Sequence, residues 1–198
     1  SVTAGDTVIV STLADFPTAD TGVITLAEGV NYRMVKSVST NNRFIFSNNS
    51  SLDSDGETNR SLEYTGTGNM ISWANANVHI EHVTLKFPNG TCFSGLNTTA
   101  STFELDCTAV IFSGKTLGAI AKTKQIRMTR CDYILTTNGI TFSGDMGFGL
   151  FTSGFADMSA GTLFNLGTST SDGITFNDMI TRGASSAKFL DGAANSAN

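Results

Sequence analysis

The sequence has few charged residues, and those that it has are spread along the chain. Only 15% of the 198 residues are Asp, Glu, Lys or Arg, the net charge is −5 and the pI is near 4.8. Binding to nucleic-acid phosphates needs clustered Lys and Arg, and the twelve basic residues form no cluster. The composition therefore argues against a nucleic-acid partner.

Long apolar runs are also missing from the sequence. A membrane-spanning helix needs about 18 or more consecutive apolar residues. A secretory signal peptide needs a basic segment followed by an apolar stretch. Neither pattern occurs, so we expect no membrane span and no signal peptide.

Cysteine is scarce, and its three copies cannot all pair with one another. Cys92, Cys107 and Cys131 belong to no CxxC metal motif. Unpaired cysteine is among the most frequently buried residue types. We therefore expect small buried side chains in a chain that folds in a reducing compartment.

Short apolar segments recur at a nearly constant interval of 22 to 26 residues. This first series consists of the pairs Val78/Ile80, Phe103/Leu105, Ile126/Met128, Phe148/Leu150 and Ile174/Phe176. A second series keeps step with it and consists of Ile71, Phe93, Ile120, Phe142, Phe164 and Phe189. A period of this length, with residues alternating in twos and no helical stripe, is typical of a solenoid. We predict one all-β domain, a right-handed parallel β-helix with a short N-terminal cap.

The two series also predict how the interior is filled. Aligning the first series gives one interior column, which consists of Ile80, Leu105, Met128, Leu150 and Phe176. In the second series, Phe93, Phe142, Phe164 and Phe189 recur at one coil position, which predicts an aromatic ladder in the core. Phe148, Phe151 and Phe155 are spaced so that they cannot all point inward, so one of them is expected at the surface.

The chain divides into three parts. Residues 1–35 are predicted to form the cap and first strand, with the apolar residues Val8, Val10, Leu13 and Phe16. Residues 36–67 are predicted to form irregular early coils with a polar loop, and residues 68–198 the β-helix body and a C-terminal tail. A solenoid needs such a cap because an open strand layer would pair with other chains.

The cap region carries a resemblance to known proteins. The segment GVITLAEGVNYRM, with Ile24 and Leu26 followed by Gly29 and Tyr32, resembles the opening of pectin-lyase-like right-handed β-helix proteins. The overlapping segment ADFPTADTGVITLAEG resembles N-terminal segments of β-helical phage tail-spike and virion proteins. The resemblance covers about 35 residues as a motif. It implies a structural or attachment part of a virion, such as a tail fibre, tail spike or head fibre. Such a part would assemble in the host cytoplasm as a homotrimer with other virion proteins and could contact a host surface glycan.

A pair of carboxylates leaves a carbohydrate-active enzyme open as an alternative. Glu81 and Asp106 each come three residues after the first inward residue of a coil, which predicts that they stack on the outer surface. Two carboxylates about 5 Å apart suit a retaining glycosidase. Other candidates nearby are His82, Arg130 and Asp132.

The catalytic pattern of the resembled enzymes is not matched. Their acidic clusters, and the His and Arg-x-Lys elements of polygalacturonase-type enzymes, do not occur in this sequence. Solvated surface carboxylates are therefore the favoured interpretation, with no catalytic residue and no cofactor predicted. A polysaccharide lyase or hydrolase remains an alternative, as does a non-catalytic glycan-binding module.

One loop superficially resembles a calcium site. It contains Asp53, Asp55 and Glu57 around Gly56. If Gly56 is aligned with the glycine of an EF-hand loop, both terminal carboxylates of that motif are missing. These acids are weak metal candidates, and a solvated loop is preferred.

Overall fold

The structure, a computed structural model, describes residues 2–56, 60–73, 75–95, 104–121, 123–167 and 171–192. These residues form parallel β-sheets that wind as a solenoid of about seven turns, which confirms the predicted fold class. Phe103 and Glu57 lie outside the described residues. Within the described ranges no helix is long and apolar enough to cross a membrane.

The first half of the chain contributes one strand after another to the growing stack. In order these are β1 (Thr7–Val10), a 3-10 helix (Leu13–Asp15), β2 (Val23–Thr25), β3 (Asn31–Met34), β4 (Val38–Thr40), β5 (Arg43–Phe46), β6 (Ser50–Ser54), β7 (Ser61–Tyr64), β8 (Asn69–Trp73), β9 (Val78–Glu81) and β10 (Thr84–Gly95).

The second half continues the same pattern. It forms β11 (Glu104–Thr108), β12 (Ile111–Ile120), β13 (Thr123–Thr129), β14 (Asp132–Phe142), β15 (Met146–Thr152), β16 (Phe155–Met158), β17 (Thr162–Asn165), β18 (Ser171–Asn177), β19 (Ile180–Gly183) and β20 (Lys188–Asp191).

Each coil has three sides. Side 1 is an eight-stranded sheet in the order β1, β3, β6, β9, β11, β13, β15, β18. Side 2 contains β4, β7, β16, β19 and the first halves of β10, β12 and β14. Side 3 contains β2, β5, β8, β17, β20 and the second halves of those three long strands. The long strands turn from side 2 to side 3 at register shifts, for example between Phe87 and Thr91.

The interior of side 1 follows the alternation that the sequence predicts, but its columns differ from the predicted one. Ile80 lies opposite Cys107, and the same column continues through Met128, Phe151 and Phe176. Leu105 belongs to the neighbouring interior column, opposite Val78 and Ile126. Leu150 lies opposite Arg127 on the outer surface. The predicted column is therefore right for Ile80, Met128 and Phe176 and wrong for Leu105 and Leu150.

The aromatic core is confirmed as buried, but not as a single column. Phe93, Phe142 and Phe164 are buried and Phe189 is partly buried. Phe93 faces Gly118 and Phe164 faces Ile140, whereas Phe142 lies in the column of Ile120. The rings still meet diagonally, as between Phe164 and Phe189, whose centroids are 5.4 Å apart. Phe148 is 43% exposed and Phe151 is buried, as the spacing of this group predicts.

The corner between sides 1 and 2 is made by one residue in the left-handed backbone region. His82, Ala109, Arg130, Ser153 and Asp178 occupy it in successive coils, with φ between 52° and 55°. The N–H of each of the first four donates to the carbonyl that precedes the next corner, as from Ala109 to Thr129 at 2.9 Å. The corners thus form a hydrogen-bonded column along the solenoid.

The first coil contains a 3-10 helix and has a buried interior. In the first coil the 3-10 helix takes the place of a side 2 strand and packs near β4. Phe16, which follows this helix, is buried against Tyr32 and Phe44, with ring centroids 5.6 and 5.2 Å away. The Asp15 carboxylate accepts hydrogen bonds from the backbone N–H groups of Ser11 and Thr12. Phe16 thus helps to bury the interior of the first coil, and the division of the chain at residue 35 stays a prediction.

Candidate functional site

The sequence-predicted acids of side 1 do not form the expected pair. Glu81 lies opposite Thr108, while Asp106 lies opposite His79 and Arg127, so the two acids are offset by two residues along the strands. Arg127 Nη1 approaches Asp106 Oδ2 to 3.2 Å. The stacked arrangement predicted for Glu81 and Asp106 is wrong because Cys107, and not Leu105, is the partner of Ile80.

The remaining candidates are distributed over different parts of the coil. His82 and Arg130 are corner residues two coils apart, separated by Ala109 in the corner column. His82 Nδ1 lies 4.0 Å from a carboxylate oxygen of Glu81. Asp132 begins β14 on side 2, where its Oδ1 accepts a hydrogen bond from the Phe155 N–H at 3.2 Å. The structure therefore brings together Glu81 and His82, but not Arg130 or Asp132.

The two described acids of the calcium-like loop, Asp53 and Asp55, are each engaged by arginine. Arg33 Nη2 lies 2.8 Å from Asp53 Oδ2, and Arg60 Nη2 lies 3.4 Å from Asp55 Oδ2. The Asp53 carboxylate raises the pKa of the Arg33 guanidinium because it accepts hydrogen bonds from the charged form. In the described part of the chain no group of three His, Cys, Asp or Glu side chains could hold a metal ion.

A shallow cleft on the outer surface of side 1 groups polar side chains from β3, β6 and β9. We call it the polar cleft. It has a volume of about 230 Å³ and is lined by Asn31, Asn49, Ser51, Leu52, Asp53, His79 and Glu81. Because outward residues of neighbouring parallel strands stand side by side, three coils place these side chains together.

One wall of the polar cleft is held by a hydrogen-bond network. Ser51 Oγ donates to Asn31 Oδ1 at 2.9 Å, and Asn31 Nδ2 donates to Asp53 Oδ2 at 3.1 Å. Arg33 holds the same carboxylate from outside the cleft. This wall is therefore ordered before any ligand arrives, which lowers the entropic cost of binding.

The other wall is more open. His79 is half-buried, and the Glu81 side chain is 54% exposed. The carboxylates of Asp53 and Glu81 carry two negative charges, and the Arg33 guanidinium carries one positive charge. The cleft and its rim therefore have an excess of negative charge. Carboxylate, amide and imidazole groups around a shallow cleft can exchange hydrogen bonds with sugar hydroxyls.

The sequence interpretation missed most of this cleft. Asn31 lies in β3, Asn49 directly precedes β6, Ser51 lies within β6, and His79 lies in β9. The sequence does contain polar residues at outward-facing positions about one coil apart. Which of them lie side by side depends on the register of the strands, which the sequence does not fix.

Comparison of the chain with protein-family models gives no match. Comparison with curated proteins and with solved structures likewise gives none. The structure confirms the β-helix fold that the resemblance of the cap sequence implies. A relation to pectin-lyase-like or phage proteins stays a prediction.

Proposed function

We propose that this chain is a structural or attachment module of a virion, a segment of a phage tail fibre, tail spike or head fibre. The observation that carries the proposal is the unbroken parallel pairing of side 1 from β1 to β18 around an apolar interior. Stacking of this kind pairs the backbone groups of inner coils with the coils on either side and makes a stiff rod. A stiff, extended module suits a part that connects a particle to the surface to which it attaches.

Two further features support the proposal. The segment from Gly22 to Met34 resembles the opening of β-helical virion proteins. Polar, weakly charged outer surfaces fit a module that is surrounded by other copies or other virion proteins. The proposed assembly is a homotrimer about the long axis of the rod.

The test is localisation in particles. Purified phage particles that encode this sequence are analysed by mass spectrometry and by immunogold electron microscopy with antibodies to the chain. We expect peptides of the chain in the particle and gold on its fibres or spikes. A chain that is abundant in infected cells but missing from purified particles would refute the proposal.

The polar cleft favours a second function, a non-catalytic glycan-binding module. Its side chains offer hydrogen bonds to hydroxyl groups, and its excess of negative charge disfavours uronic acids and other acidic sugars. Neutral sugars and amino sugars are therefore the expected ligands.

Binding is tested by titrating neutral, amino and acidic oligosaccharides into the protein while recording NMR spectra. We expect shifts from neutral or amino sugars that are lost in His79→Ala and Glu81→Gln. Glu63→Gln, which changes an outward residue of side 2, is the matched control and should bind like the wild type. Equal binding by all variants would exclude the polar cleft as the binding site. Release of new reducing ends would instead support the enzyme alternative.

A further inference from the structure

The outer surface of side 2 carries an unbroken column of outward residues, one from each of six successive coils. We call it the side 2 column. In order along the rod it consists of Glu63, Lys86, Ser113, Ile134, Asp157 and Arg182. Because neighbouring strands lie about 4.8 Å apart, the column spans about 24 Å of the rod.

The charges of the side 2 column are arranged so that the column is complementary to its own reverse. Its first two residues, Glu63 and Lys86, are negative and then positive, and its last two, Asp157 and Arg182, repeat that order. The two residues between these pairs are uncharged. When the column is laid against a reversed copy of itself, every negative charge meets a positive one.

Apolar side chains accompany these charges at the surface of side 2. Ile134, in the middle of the column, is 47% exposed. Ile111, Phe155 and Ile180 belong to the second outward column of side 2; the first two are partly exposed and Ile180 is 67% exposed. Exposed apolar side chains bordered by charged ones are typical of a surface that contacts another protein.

The charges at the first end of the column are not satisfied within the chain. Among the residues that the structure describes, neither Glu63 nor Lys86 takes part in an ion pair. At the other end, the Arg182 guanidinium contacts the Asp157 carboxylate and lies 5.6 Å from the centroid of the Phe155 ring. A partner that presents the same column in reverse would supply counter-charges to Glu63 and Lys86.

We propose that side 2 is a self-association surface, which packs face to face against side 2 of a second copy of this chain with the two rods antiparallel. The two-fold axis is parallel to the strands of side 2 and passes between the third and fourth residues of the column. Each outward column then faces itself with its coils in reverse order. Lys86 faces Asp157 of the other copy, and Glu63 faces Arg182 of the other copy. The symmetry repeats both contacts, which gives four ion pairs in a closed, isologous dimer.

The charges also fix the register of this contact. A shift of one copy by one coil in one direction would set Glu63 against Asp157 of the other copy. A shift in the opposite direction would set Lys86 against Arg182. Because like charges in an interface cost free energy, the register that pairs all four charges is favoured over both neighbours.

The uncharged middle of the column is compatible with this register. Ile134 faces Ser113 of the other copy, so part of its exposed apolar surface is removed from water. In the second outward column, Ile111 faces Asp132, whose Oδ1 keeps the hydrogen bond from the Phe155 N–H of its own chain. The contact uses neither side 1 nor side 3, and it does not depend on the proposed virion role.

Sedimentation at low ionic strength tests the surface. The wild-type chain is expected to interconvert with a species of twice the mass of its smallest form, and added salt is expected to weaken the association because it screens the ion pairs. Lys86→Glu and Asp157→Lys each place like charges at two points of the dimer, and each is expected to weaken association about ten-fold or more. Lys124→Glu, an exposed charge reversal on side 1, is the matched control and should associate like the wild type.

Mixing the two variants separates this contact from effects within one chain. Asp157→Lys also removes the partner of Arg182 in its own chain, so that variant alone disturbs an ion pair as well. In a mixed dimer, each introduced charge faces the introduced charge of opposite sign, and the unchanged Asp157 of one copy faces the unchanged Lys86 of the other. The equimolar mixture is therefore expected to regain the doubled species, although each variant alone does not.

Three results would overturn the proposal. The first is a wild-type chain that keeps its smallest mass at every concentration. The second is a doubled species that neither substitution weakens. The third is a mixture that associates no better than its components while both variants keep the wild-type circular dichroism spectrum.

Discussion

The chemistry of the cysteines follows from their position inside the coils. Cys92, Cys107 and Cys131 are free and buried, which confirms the burial predicted from the sequence. Burial raises the pKa of all three thiols, that of Cys131 to about 12. Because the thiolate is the reactive form, we expect no reaction of the folded protein with a disulfide reagent at pH 8 and three equivalents after denaturation. A thiol that reacts in the folded protein as fast as free cysteine would contradict this.

Two leucines that look alike in the sequence should respond differently to a buried charge. Leu105 is 1% exposed in an interior column, and Leu150 lies outward next to Arg127. We expect Leu105→Asp to cost about 4 kcal/mol or more, because it buries an unpaired carboxylate. Leu150→Asp should change stability little, because its carboxylate can meet water and the Arg127 guanidinium. Urea unfolding measures both, and similar losses would mean that the register is wrong.

The same two leucines show how far the sequence could predict residue positions. Alternation identifies which residues of a segment share a face, and it identified the strands correctly. It does not fix which residue of one strand meets which residue of the next, because that depends on the lengths of the connections. Cys107 occupies the place expected for Leu105, and this shift of two residues separated Glu81 from Asp106.

At the scale of the element, the corner between sides 1 and 2 carries conformational strain. A left-handed backbone costs a residue with a side chain about 1–2 kcal/mol, and glycine is free of that cost. Ala109 has φ of 53°. We expect Ala109→Gly to raise the free energy of unfolding by about 0.5 to 1 kcal/mol. Ala119→Gly, in the extended strand β12, is the control and should lower it; equal losses in both would argue against strain at the corner.

This corner could not be predicted from the sequence. Glycine and asparagine are the residues that signal a left-handed turn, and His82, Ala109 and Arg130 are neither. The preference of these residues for other conformations is overcome by the backbone hydrogen bonds that link successive corners.

The 3-10 helix of the first coil should lose stability in acid. Hydrogen bonds from the backbone of Ser11 and Thr12 lower the pKa of Asp15 below its usual 3.8. The stabilisation is therefore complete above that value and is lost as the pH falls through the lowered pKa. We expect Asp15→Asn to lower the melting temperature at pH 7 and to have little effect near pH 2. Asp20→Asn is the control, and a pH-independent loss in Asp15→Asn would show that the carboxylate charge is not responsible.

At the scale of the whole molecule, the period of the sequence predicted the solenoid, because each coil must return an apolar strand to the same side. The candidate site was less predictable. The polar cleft depends on outward residues from three coils. It is a property of the stack and has no local motif.

The column of corners divides the rod into interchangeable units. Val110 and Cys131 each follow a corner residue and are both buried. A chain without residues 110–130 would join Ala109 directly to Cys131 and place β14 beside β10, so the remaining strands keep their sides. We expect this shortened chain to fold with an unchanged β spectrum and a rod shorter by about 4.8 Å, which small-angle scattering can measure. Deleting 110–125 instead cuts within β13 and should prevent folding. The length of such a rod can therefore change only by whole coils. Insertions or deletions of any other size must be accommodated in the loops between corners.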